Sequence, residues 1–263
     1  MTEALTFEEL SGVLDGYIEC IRQSVTLRNQ RGVPLDLYNP EVPSVLAGLL
    51  ARQATLAMRL AQSPPTWDGH IAPLILRPMV ECLVSFKWIT KDPVARSGEY
   101  VGYALGQAKL MLAKLQAELE RREDEESKHT VIQAAHMQEA WIQSQRLIQY
   151  VDVNLGSWSG MSVRKMCQEI DEEALYDYWF VPHSMCSHNT WQHVSNWNTR
   201  VCENPLHHGH RMSHVAMPDL TVEYVRQSAM FLSMTLEEFD GFYGVEPAGK
   251  DPREFLEEGL AEL

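Results

Sequence analysis

The chain is short of most features that would announce a function. Its five cysteines (Cys20, Cys82, Cys167, Cys186, Cys202) are odd in number and widely spaced, with no Cys-x-x-Cys pair. That argues against a zinc ribbon or a redox dithiol and makes reduced thiols the expectation. The apolar runs Val45–Leu50 and Pro73–Leu76 are far shorter than the roughly 20 residues needed to span a bilayer. Thr2, Glu3, Ala4 and Leu5 open an acidic N-terminus without a secretion signal, so a cytoplasmic protein is expected. Neither a Gly-x-Gly-x-x-Gly loop nor a P-loop occurs, which removes the common phosphate cradles. Base is scarce: 22 Lys and Arg stand against 36 Asp and Glu, a formal charge of −14. That balance excludes broad electrostatic binding to DNA or anionic membranes but leaves room for a small basic site. No stretch alternates with period two long enough for a confident strand, and no repeat is evident.

What is present is helical. Thr6 with Glu9 has capping-box spacing, and Leu10, Val13, Leu14, Tyr17 and Ile21 recur at helical period, predicting a helix to about Asn29. A Gly- and Pro-rich loop follows at 31–43. Ser44 is the expected cap of a helix to about Ala61, and Ser63–Gly69 reads as a loop. The spacing predicts helices over Ile71–Thr90, with Pro78 inside, from Asp92-Pro93 to about Glu120, and over His129–Val153. Asn154–Gly160 is a break. Ser162 then opens a short helix to about Ile170, a helix from Glu172 carries Tyr176, His183, His188 and Trp191, and Asp219 caps a final helix to about Phe242. Segment 203–218 reads as irregular. Acid is concentrated in Glu118–Glu126 (six carboxylates, two arginines) and Asp251–Glu262 (five and one), the usual signature of solvated faces or tails. The expectation is one all-α domain over 1–263: a bundle of about seven to nine helices with its core at 6–242 and an acidic tail at 243–263.

Seven of the ten histidines fall between His183 and His214, with only Arg200, Arg211 and Glu203 as charged company. Imidazole titrates near neutral pH, moves protons and binds metals. His183, His188 and His193 are five apart, so successive members diverge by about 140° on a helix, which spoils a one-helix metal site. His207, His208, His210 and His214, with Glu203 nearby, could gather a metal from a loop, but no cysteine pair completes a set, and neither a metal nor another cofactor is the leading expectation. Arg77 and Glu81 are four apart on a helix apolar nearly all round. They form either an internal ion pair that fixes register or a polar site able to bind phosphate and move a proton. Ser184 and His188 are also four apart, with Trp191 and Ser195 extending their face. The Gly-x-Ser-x-Gly elbow of a serine hydrolase is missing.

Three elements in order carry a resemblance: Arg77-Pro78-Met79-Val80-Glu81, Trp158-Ser159-Gly160-Met161-Ser162, and Tyr176 leading to Ser184-Met185-Cys186-Ser187-His188. With Asp92-Pro93 between the first two, this resembles a large, mainly bacterial, helical domain-of-unknown-function family, number fifty-six seventy-seven, over roughly Ile71–Trp191. The resemblance singles out Arg77, Glu81, Tyr176, Ser184 and His188, and implies that Arg77 and Glu81 meet His188 across the core. A looser analogy is to the HEPN nucleases of toxin and anti-phage systems, and a HEPN-like core follows from it. The chain departs from their signature, since no Arg closely precedes His188 and Pro205 interrupts Arg200 to His207.

Three functions are weighed. The first is a metal-independent, ribonuclease-like effector of bacterial defence, an RNA-cleaving hydrolase. In it Arg77 stabilises phosphate charge, His188 acts as acid or base, and Glu81, Tyr176 and Ser184 complete the site. Its partner is RNA or a small phosphate-bearing ligand. The second is a non-catalytic helical module binding a ligand, a protein partner or a second copy of itself, as a sensor or accessory subunit. The third and weakest is a metal-dependent hydrolase using the 207–214 histidines. No membrane partner is expected.

Overall fold

The computed structural model describes residues 7–30, 36–145, 156–215, 219–246 and 249–263. Thr6, segment 31–35, and the expected helix end and break at 146–155 lie outside the described residues. Among those residues are ten α-helices and one two-stranded sheet, so the all-α expectation holds. There are more helices than expected because two segments, one read as a continuous helix and one as a tail, form additional short helices. No described helix is long and apolar enough to cross a membrane.

The chain sorts into two compact units. The larger takes α1 (Phe7–Gln30), most of α2 (Glu41–Ala61), α3 (Ala72–Lys91), α6 (Val163–Glu169), α7 (Val181–Ser187), α8 (Trp191–Trp197), α9 (Glu223–Tyr243) and α10 (Pro252–Ala261). Its axis is α3. Leu76, Met79, Val80, Leu83, Phe86 and Ile89 are fully enclosed, because α9, α6 and α7 all pack on this one helix. Pro78 removes one backbone donor, yet the helix runs on to Lys91.

Buried polar side chains fix how these helices meet. The Gln53 amide of α2 donates to the carbonyls of Met79 (3.1 Å) and Phe231 (3.3 Å) and reaches Thr235 Oγ1 at 3.2 Å. Arg28 of α1 grips Asp240 of α9 through two bonds, Nε to Oδ1 at 2.7 Å and Nη2 to Oδ2, with both side chains buried. The acidic C-terminal segment is not a free tail. Asp251 caps α10 by accepting from the Arg253 N–H (2.7 Å), and α10 packs on α1 and α9 with Leu256 buried. Helix α9 starts at Glu223 rather than beside Asp219, and ends on Gly244 in the left-handed conformation (φ 62°).

The smaller unit comprises residues 36–45 and 92–162. Here α4 (Pro93–Arg121) packs on α5 (Glu125–Ser144) around Leu105, Ala108 and Ile142. Helix α5 begins four residues before the expected start because Asp124 caps it, accepting from the Ser127 N–H at 2.9 Å. Helix α2 likewise begins before Ser44. Pro43 fits a first turn, where no backbone donor is needed, and the Ser44 hydroxyl donates to the Pro40 carbonyl (2.7 Å).

Candidate functional site

The segment expected to form one helix from Glu172 is three pieces. A π-wound turn covers Leu175–Phe180, α7 follows, and α7 stops at His188 and Asn189, which takes a left-handed φ of 49°. Helix α8 then starts afresh, with Thr190 as its cap. This break decides the fate of the sequence-derived site. Ser184 and His188 are not followed by Trp191 and Ser195 on a continuous face.

Arg77, Glu81 and Ser184 do meet. Arg77 Nε donates to Ser184 Oγ at 3.0 Å, and its Nη2 pairs with Glu81 Oε1 at 3.3 Å. The Ser184 hydroxyl in turn donates to the Phe180 carbonyl at 2.6 Å. Its proton is therefore committed to a carbonyl and its lone pair to a guanidinium, and no imidazole stands by to activate it. The Arg77 guanidinium carbon lies 5.0 Å from the Phe180 ring centroid. Phe180 stacks on Tyr176 (5.4 Å, 20°), and the Arg164 guanidinium carbon lies 5.9 Å from the Tyr176 ring. Arg77, Phe180, Tyr176 and Arg164 thus form a continuous stack that binds α3, α6 and the π-wound turn together. Lys87 with Glu172, and Trp88 Nε1 with Glu169 Oε2 (2.6 Å), extend the same seam.

His188 stands apart. Its side chain is exposed. Its backbone N–H bonds to the Ser184 carbonyl (3.1 Å), but no hydrogen bond or ion pair links its imidazole to Arg77, Glu81 or Ser184. The expectation that Arg77 and Glu81 meet His188 across the core is corrected on this point. The helix ends at His188, so the side chain turns to solvent instead of continuing the buried face.

A different group of residues encloses a cleft of about 220 Å³ within the larger unit. Its walls come from Gly69 and Pro73 before and within α3, from His183 and Cys186 of α7, from His193 and Trp197 of α8, and from Tyr224 and Gln227 of α9. Trp67, Asp68 and Gly69, the end of the segment read from sequence as a loop, lead through His70 into α3 at the edge of the cleft. Trp67 is buried, its indole N–H donating to the Leu60 carbonyl (2.8 Å) and its carbonyl accepting from the Thr221 N–H (2.9 Å). The buried Asp68 carboxylate accepts from the N–H groups of His70 (2.7 Å) and Ile71 (2.9 Å) and so starts α3. The Cys186 thiol donates to the His70 carbonyl (3.0 Å). A side chain at Gly69 would collide with the Trp197 ring, which a Cβ would approach to 2.4 Å, so only glycine lets the indole close the cleft.

The polar groups here are unusual. His183 is 7% exposed, its Nε2 has no hydrogen-bond partner, and burial pushes its pKa down to about 4. Gln227 Oε1 is also buried without a partner. His193 Nε2 lies 3.3 Å from His70 Nδ1, and burial, then the neighbouring His70, holds the His193 pKa below its ordinary value. All the cleft imidazoles with shifted pKa values therefore favour the neutral form. The only sequence signal for this site was the histidine crowding. The crowding is shared out in space: His183 and His193 line the cleft, His207 and His210 lie on the hairpin with Cys202, and His188 belongs to neither place.

In the smaller unit the motif Trp158–Ser162 forms a tight turn. Gly160 is left-handed (φ 67°), Ser159 Oγ donates to the Met161 carbonyl (3.1 Å), and Trp158 packs edge-on against Tyr100 (4.8 Å).

Neither a curated protein nor a solved structure matches the chain. The sequence model of the family described as "Family of unknown function (DUF5677)" matches residues 44–204, a span that holds Arg77, Glu81, Tyr176, Ser184, His188 and most of the cleft. With more than half of its length inside that match, the chain belongs to this family of unknown function.

Proposed function

We propose that the larger unit is a non-catalytic helical module that binds a small, uncharged, planar heterocycle in the cleft walled by His183, Trp197, Tyr224 and Gln227. The observation that carries this reading is the pair of buried, unpartnered atoms, His183 Nε2 and Gln227 Oε1, on two helices lining one cleft. A buried polar atom left unpaired costs about 1–3 kcal/mol, so two on residues that line one cleft favour a ligand that supplies the missing partners once these atoms are uncovered. Size and charge narrow the ligand. A cavity of about 150 Å³ accommodates benzene, so about 220 Å³ suits a single substituted ring. The lining carries no lysine or arginine, and its shifted imidazoles favour the neutral form, so the cleft favours an uncharged ligand over a phosphate. Trp197 offers a ring face for stacking. Arg77, Glu81 and Ser184 hold α7 against α3 and so shape one wall.

The test uses the full chain with uracil, cytosine, nicotinamide and indole as probes, followed by tryptophan fluorescence and by the imidazole resonances of His183 and His193. The expected result is saturable binding of at least one probe, weakened tenfold or more in both His183→Phe and Gln227→Leu. Circular dichroism of the variants should match that of the parent chain. No binding by any probe, or binding indifferent to both substitutions, defeats the proposal. So does RNA cleavage that disappears in His188→Ala.

A further inference from the structure

The strands β1 (Thr199–Val201) and β2 (Arg211–Ser213) pair antiparallel, with Thr199 opposite Ser213 and Val201 opposite Arg211. None of their residues is buried, and Leu206 at the turn is 86% exposed. A two-stranded hairpin this short is marginal in water. Its tip is nevertheless closely organised. The Cys202 N–H donates to the His210 carbonyl (2.9 Å), the His207 N–H to the Asn204 carbonyl (3.0 Å), and the His210 N–H to the His207 carbonyl (3.1 Å). Gly209 supplies the left-handed turn (φ 71°). With no apolar core beneath it, this tip has a set of side chains whose chemistry can hold it.

Cys202 Sγ, His207 and His210 bring one ligand atom each within 4.8 Å of one another, the one such group among the described residues. Cys202 Sγ lies 3.6 Å from His207 Nδ1. Bond lengths of about 2.3 Å to sulfur and 2.05 Å to nitrogen, with a tetrahedral angle between them, put the two donor atoms about 3.6 Å apart. The two imidazole rings are 5.6 Å apart and nearly perpendicular, an arrangement in which both can turn a nitrogen toward one point.

We infer that Cys202, His207 and His210 form a Zn²⁺ site that clasps the tip of the β1–β2 hairpin. One thiolate and two neutral imidazoles suit zinc, and harder cations such as Mg²⁺ and Ca²⁺ prefer an all-oxygen set. Three protein ligands leave a fourth position to water at the exposed tip. The spacing Cys-x4-His-x2-His escapes a search for paired cysteines, since the sulfur and the imidazoles come from opposite ends of a turn. The site is independent of the cleft, and neither proposal depends on the other.

Chelator-treated full chain is titrated with ZnCl₂ alone against a chromophoric chelator, and in parallel with CoCl₂. The expected result is one equivalent of tightly held metal per chain, with a sulfur-to-cobalt charge-transfer band. Cys202→Ser should abolish the band, and Cys202→Ser and His207→Ala should each weaken zinc binding at least a hundredfold. These residues are exposed or nearly so, and unchanged circular dichroism confirms that each variant is folded. His214→Ala should leave binding intact. Failure to hold zinc at micromolar concentration, a cobalt complex without the sulfur band, or undiminished binding in Cys202→Ser overturns the inference.

Discussion

Lowering the pH should destabilise the larger unit through His183, by an amount that can be worked out. In the unfolded chain its imidazole titrates near 6.5, and in the folded protein burial holds it at about 4. Below pH 6.5 the unfolded state therefore takes up a proton that the folded state refuses. The contribution to stability is fully present above pH 6.5, falls as the pH drops, and stops changing below about 4. One pKa unit corresponds to about 1.4 kcal/mol, so the loss should reach about 1.4 kcal/mol at pH 5.5 and about 2.5 kcal/mol at pH 4.5. Carboxylates also titrate toward the acid end of this range, so the informative quantity is the difference from a His183→Phe variant. That substitution keeps an aromatic ring in place of the imidazole, which stacks beside Trp179, and removes the titrating group. Urea unfolding of both proteins between pH 7.5 and 4.5 gives the difference curve. It should be flat above pH 7 and steepen below 6.5, with the variant gaining on the parent as acid is added. Parallel stabilities to within about 0.5 kcal/mol over the whole range would refute the reasoning, as would an NMR titration placing His183 near 6.5.

Two further expectations follow from the same packing. Asp240→Ala leaves the buried Arg28 guanidinium without its carboxylate and should cost about 3–5 kcal/mol in urea unfolding, whereas replacing both partners by apolar residues of similar volume should recover most of that loss. Ser184→Ala removes the acceptor of Arg77 Nε and should cost about 1 kcal/mol, while His188→Ala, at an exposed helix end, should change stability by less than about 0.5 kcal/mol. The opposite order of effects would mean that His188 is the structural residue of the pair.

The helices were legible where periodicity and punctuation agreed. Leu10 to Leu27, the Asp92-Pro93 boundary and the apolar α3 reappear in α1, α3 and α4 within a few residues, because an amphipathic or buried face leaves its period in the sequence. The candidate site was legible only in part. Arg77 and Glu81 could be paired from their i,i+4 spacing. Ser184, which the resemblance only singled out, bonds to Arg77, whereas no bond joins the His188 imidazole that the resemblance set beside them. The acidic end was misread as a tail because its charges outnumber the apolar residues that dock α10, Leu256 among them. The cleft was missed because its walls come from residues 69–73, 183–197 and 224–227, separated by chain stretches that no local pattern connects.

The sequence by itself determined that the chain is helical and acidic and that its apolar runs are short, since these depend on composition and on the period of the apolar residues. It also marked Arg77, Glu81 and the histidine-rich stretch as unusual company for their surroundings. Only the tertiary structure decided what those residues do. Asn189 ends α7 and leaves His188 exposed, Gly69 and His70 before α3 meet the Trp197 ring, and α7 and α9 bring His183 and Gln227 into one cleft. Burial and the meeting of distant segments are properties of the packed chain, and they alone put one imidazole in the wall of a cleft, another beside a thiol on an exposed hairpin and a third at an exposed helix end.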